Sequence, residues 1–106
     1  MLSRDKGVLL LKPEGQIAFA STYFCDLVGI KHDRVAGTFY LDYVFPDDVK
    51  VAKTLLRPSE LSDQPGLQFR LKRLDGTQVL VNVQRSPLQF TDGRVYAITG
   101  TVTKAT

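Results

Sequence analysis

The chain has 106 residues, enough for one domain with one core but not for two. Apolar residues at 43% and charged residues at 24% match ordinary folded domains and exclude both a disordered chain and a membrane-embedded one. The net charge is a modest +3, and a single cysteine (Cys25) and a single histidine (His32) exclude an internal disulfide and leave too few soft ligands for a structural zinc site.

In chain order, the apolar run 8–11 is far shorter than a membrane span, and no secretion signal precedes it, so a soluble, cytoplasmic domain is expected. With Pro13, Glu14, Gly15 and the segment 16–20 that run predicts a hairpin, Gly15 supplying the positive φ. Ser21 then offers a side-chain oxygen to cap a short helix with Phe24, Leu27 and Val28 on one face, and Gly29 stands where a C-terminal glycine ends it. Residues 30–44 lack a period and read as loops and helical turns. Pro46, Asp47 and Asp48 open a longer helix over 46–57, its two carboxylates complementing the positive end of the helix dipole. Its apolar stripe is Val51, Ala52, Leu55 and Leu56, and Pro58 stops it before a polar linker over 59–66.

From residue 67 the period changes from helical to two. Leu67, Phe69 and Leu71 alternate with Gln68, Arg70 and Lys72; Asp75 and Gly76 form a type I′ turn; Val79, Val81 and Val83 alternate with Leu80, Asn82 and Gln84. A second turn at Thr91, Asp92 and Gly93 leads into a last strand over 94–103. Arg70, Lys72 and Arg73 are the one concentration of positive charge, and their alternation with apolar residues reads as a solvated strand face.

Two strands, short helices, one longer helix and three strands in this order resemble the PAS fold over nearly the whole chain. The likeness is carried by Glu14, Gly15, Gln16 and Ile17 at the first turn, Leu27, Val28 and Gly29 at the helix end, and Val35, Ala36 and Gly37 at the next turn. Phe45, Pro46, Asp47 and Asp48 at the longer helix and Leu74, Asp75 and Gly76 at the hairpin complete it. The resemblance implies an α+β fold: a five-stranded antiparallel sheet in order 2-1-5-4-3 with helices on one face, often around a small-molecule pocket. It implies sensing or protein association, with an effector domain or partner protein in the parent chain. The chain departs from the family at its end, where Lys104, Ala105 and Thr106 stand in place of an Asp-Ile-Thr exit.

The family's heme and flavin are disfavoured. The segment 47–57 has no histidine to serve as an axial ligand, and Cys25, between Phe24 and Asp26, lacks the Asn-Cys-Arg surroundings of a photosensor cysteine. His32 lies in a polar stretch and reads as exposed, and Cys25 as a buried small apolar residue. A pocket, or a core filled by its own side chains, is predicted from Phe24, Leu27, Val28, Tyr40, Tyr43, Val51, Leu55, Phe69, Leu71, Val81, Val83, Arg85 and Ile98. The resemblance adds Tyr96, Gly100 and Val102 on the inward face of the last strand. Tyr23, Tyr40, Tyr43 and Arg85 are the candidates for orienting a small apolar ligand; Arg85 either meets a carboxylate there or reaches solvent from the strand end. The opposite sheet face is expected to form a homodimer through Leu9, Leu11, Leu80 and Ala97, only residues 1–6 preceding the first strand to cover it.

Catalysis is not expected. Adjacent carboxylates on a helix point roughly 100° apart and cannot flank one substrate, and no nucleophile, base or phosphate loop stands out. The expectation is a regulatory module acting by association. The alternatives are a nucleic-acid-associated domain using the Arg70, Lys72, Arg73 face, and a thiol redox sensor through Cys25.

Overall fold

The computed structural model describes residues 6–56 and 66–105; Arg57, Pro58 and most of the expected linker lie outside them. Five strands, β1 (Gly7–Leu11), β2 (Ile17–Ala20), β3 (Leu67–Lys72), β4 (Gln78–Gln89) and β5 (Val95–Lys104), form one antiparallel sheet in the order β2-β1-β5-β4-β3. Helices α1 (Thr22–Val28), α2 (His32–Val35) and α3 (Val49–Lys53) connect the two outer halves.

The expected longer helix is a composite. A 3₁₀ turn over Pro46–Asp48, α3 and a second 3₁₀ turn over Thr54–Leu56 follow one another. The 3₁₀ flanks impose a spacing of three, so Val49, Ala52 and Leu55 turn to the core while Val51 is rotated out and 43% exposed. Val51 is therefore removed from the predicted interior.

All three hairpins use one turn geometry. Pro13-Glu14-Gly15, Leu74-Asp75-Gly76 and Thr91-Asp92-Gly93 are three-residue loops, each closed by the residues on either side, as in the bond from Arg73 N–H to the Thr77 carbonyl. Only the glycine has positive φ, so the turn at Asp75-Gly76 is a type I turn followed by a left-handed glycine, in place of the expected type I′. Asp75 Oδ1 accepts from the Thr77 amide and hydroxyl, and this lowers its pKa.

Ser21 also departs from expectation. Its hydroxyl does not cap α1; it accepts from the Val8 amide at 2.9 Å, while the Ser21 amide donates to the Val8 carbonyl at 2.9 Å. The helix is thereby tied to β1 at its first residue. α1 lies so close to β1 that a Cβ at Gly7 would stand 3.0 Å from the Tyr23 ring and 3.2 Å from the Phe24 nitrogen. Gly29 ends α1 at positive φ as expected, its amide returning to the Cys25 carbonyl.

Part of each sheet edge is occupied by the chain itself. Along β2, Ile17 and Gly37 exchange bonds with Thr38 and Ile17, and Tyr40 N–H donates to the Gly15 carbonyl. Along β3, Val44 bridges Leu71, Phe45 N–H donates to the Arg70 carbonyl, and the Arg70 amide donates to Asp48 Oδ2. The start of β2 and the second half of β3 are thus partnered at the two edges of the sheet.

Candidate functional site

The inner sheet face and the helices over it enclose the predicted interior. Phe24, Leu27, Val28, Tyr40, Tyr43, Leu55, Phe69, Leu71, Val81, Val83 and Ile98 belong to one buried cluster. Ile17, Val35 and Val44, which lie in loops or short elements without a period, also belong to it, together with Ala52 of the expected helix stripe and Leu11, expected on the other face. Phe24 and Tyr43 meet edge to face at 6.0 Å.

The polar groups of this interior are satisfied within the protein. The Tyr40 hydroxyl donates to the Ala52 carbonyl, and burial drives its pKa upward. The Tyr43 hydroxyl donates to Thr38 Oγ1, which donates in turn to the Val35 carbonyl. Arg85 is not at a strand end, because β4 runs on to Gln89. It is half-buried and donates to the Thr54 carbonyl at 3.2 Å, holding the end of the helical segment against the sheet. Among the described residues no buried side-chain nitrogen or oxygen lacks a partner.

Asp48 has a further role that its place at a helix start concealed. Its carboxylate takes Arg70 Nε and Nη2, each at 2.9 Å, as well as the Arg70 amide at 2.8 Å. The guanidinium lies 4.4 Å from the centre of the Phe45 ring. Arg70's side-chain bonds hold the Asp48 carboxyl below its usual range. The expected basic face is therefore divided: Arg70 is paired, Arg73 donates to the Leu27 carbonyl and to Thr77, and Lys72 is exposed.

Cys25 is buried at 1% exposure, and burial together with the Asp26 charge raises its pKa, the reverse of an activated thiol. His32 is exposed on α2 with its ring edge-on to Phe19. Among the described residues no group of three or more histidine, cysteine, aspartate or glutamate side chains is placed to hold a metal ion. No helix among them is long and apolar enough to cross a membrane.

The outer face corrects the dimer prediction. On β1, Gly7, Leu9 and Leu11 point inward, Leu9 and Leu11 at 2% and 0% exposure, so they belong to the core. Val8 and Leu10 take the outward places. Leu80 and Ala97 are half-exposed and outward, as expected. Tyr96 is a second correction. A bulge between Leu88 and Gln89 leaves Leu88 opposite Ala97 and Gln89 opposite Val95, so Val95 packs on the core and Tyr96 is the extra residue. Tyr96 is 47% exposed, its ring 4.7 Å from that of Phe90, and the Arg94 guanidinium lies 5.1 Å from the centre of the Phe90 ring.

The model of the PAS fold family matches residues 3–104. The chain belongs to the PAS family. Among solved structures, the PAS domain of a Colwellia psychrerythraea protein superposes with a TM-score of 0.80 at 14% identity, covering 95% of this chain and 86% of that one. A light-oxygen-voltage domain described with a flavin analogue gives 0.76 at 18%, covering 95% and 78%. A sensory box histidine kinase/response regulator from Burkholderia thailandensis gives 0.72 at 20%, covering 95% and 77%. A search of curated proteins finds no match. PAS domains are in general sensory modules of signal transduction without catalysis of their own, and this PAS domain has the sheet order expected of the fold.

Proposed function

We propose that this PAS domain is a non-catalytic regulatory module that works by pairing with a second copy through the outer face of its sheet. One observation carries the reading. The outward positions of the three central strands hold no charged side chain: Val8 and Leu10 on β1, the even-numbered residues 78–88 on β4, and Ala97, Thr99, Thr101 and Thr103 on β5. In a chain with 24% charged residues such a neutral face is unusual. Interface centres are depleted of charge, and a two-fold contact sets each patch against its own copy, where a neutral patch meets no repulsion.

The segments already bonded along part of each sheet edge favour face pairing over strand addition. The three strands, about 4.8 Å apart and five to twelve residues long, span on the order of 400 Å², about half of the ~800 Å² that each partner contributes to a standard interface, so the face would form the centre of a contact completed by its rim. On the inner side, satisfied phenols and close-packed aliphatic groups favour a filled core over a cofactor. Heme and flavin stay outside the reading because the segment 46–56 lacks histidine and the one thiol is buried with a raised pKa. The signal would pass to an effector of the parent protein, and the kinase neighbour makes a sensor kinase the natural first candidate.

Sedimentation velocity over a concentration series tests this. The native chain should sediment as a dimer, and Ala97→Arg, which places a charge on the neutral face, should sediment as a folded monomer. A native chain that stays monomeric at the highest concentration overturns the reading.

A further inference from the structure

The outer face carries a projection and a hollow at opposite ends. The projection is the tip of the β4–β5 hairpin, where Phe90 is in contact with both the tilted Tyr96 ring and the Arg94 guanidinium, and Arg94 Nε is paired with Asp92 at 2.7 Å. Phe90 and Tyr96 are 51% and 47% exposed although they are in contact with each other. The hollow has a volume of about 390 Å³ and is lined by Gln68, Asn82, Gln84, Thr101 and Thr103 together with Lys6, Gly66 and Leu67. That is far beyond one water, whose share of liquid volume is ~30 Å³.

These two features are complementary. A tyrosine presents a flat apolar body and a hydroxyl that needs a partner, and amide and hydroxyl side chains supply both a surface to lie on and that partner. The knob is neutral as a unit, because Asp92 offsets Arg94, so Lys6 in the lining of the hollow meets no net positive charge. Along β5, six residues separate Tyr96 from the level of Val102 at the hollow, roughly 20 Å at ~3.3 Å per residue. Thr99, which faces Ser86 across the ladder, stands midway between them.

From this spacing we infer that the second copy lies antiparallel across the face, the Phe90–Tyr96 knob of each chain entering the hollow of the other. A two-fold axis near Thr99 and Ser86 makes both contacts at once, so each chain supplies a knob and a hollow. The inference rests on the pairing proposed above and adds its orientation and its anchor.

Cross-linking with a short bismaleimide tests the orientation, in the full chain with Cys25 left in place because it is buried. A mixture of Thr91→Cys at the hairpin tip and Thr101→Cys in the hollow should give a cross-linked dimer, which neither variant gives alone. Thr99→Cys should cross-link to itself. Tyr96→Ser should weaken self-association roughly tenfold or more, as loss of an interface anchor does, with thermal unfolding unchanged. Self-linking of Thr91→Cys, or a dimer by sedimentation without the mixed cross-link, overturns the antiparallel knob-and-hollow arrangement while leaving face pairing intact. A native chain monomeric by sedimentation removes both.

Discussion

Ser21 joins a helix start to a strand through two bonds with Val8 and is buried at 3% exposure. Ser21→Ala leaves the Val8 amide without its acceptor in a dry site, and urea denaturation should show a loss of about 1–3 kcal/mol. A helix cap would predict a loss confined to α1, whereas this bond predicts faster amide exchange at Val8 as well. Asp48 gives a pH signature. Its folded pKa is lowered from 3.8 by Arg70, so its contribution is complete above that ordinary value and is lost as pH falls through the lowered one. The Asp48 contribution to the urea midpoint should therefore hold from neutral pH down to about pH 4 and be lost below it, and Asp48→Asn should reduce that acid loss. The sequence offered the residue types for both contacts but not the partners, since Ser21 and Asp48 each stand where a helix N-terminus already explains them. Their bonds span 13 and 22 positions of sequence, beyond the reach of any local pattern.

At the scale of elements, strand parity was legible where strands are regular and failed at irregularities. Phe69, Leu71, Val79, Val81 and Val83 turn inward as the period of two requires. Tyr96 does not, because it is the extra residue of a bulge and has no ladder partner, while Val95 before it takes the inward place. Leu9 and Leu11 were misplaced because the run 8–11 is apolar at every position and carries no period; the approach of α1 to Gly7 decides its parity. The turns were found through their glycines, but their type depends on loop length, which Asp-Gly alone does not reveal. Gly76→Ala forces a left-handed alanine at φ +90° and should cost roughly 1 kcal/mol or more in urea unfolding. Gly76→Asn should recover part of that loss, because asparagine tolerates this region.

At the scale of the molecule, the order β2-β1-β5-β4-β3 places the two chain-terminal strands, β1 and β5, side by side at the centre, with hairpins outward and helical segments over one face. That arrangement followed from the order of elements through the family resemblance, since no local pattern encodes which strands of a sheet are neighbours. Among the described residues it also leaves one sheet face without a helix, partners part of each edge and fills the side beneath the helices with Phe24, Tyr40, Leu55, Val81 and Ile98, each at 2% exposure or less. Leu55→Ala in this layer should cost about 2–5 kcal/mol, read by urea denaturation, and should leave a void into which a small apolar probe binds. Pairing through a neutral face with the core filled by its own side chains is the central claim, and native mass spectrometry of freshly purified protein reads both parts at once. The account predicts a complex of twice the 11.8 kDa chain mass with nothing added. A monomer, or a stoichiometric bound small molecule, would contradict it.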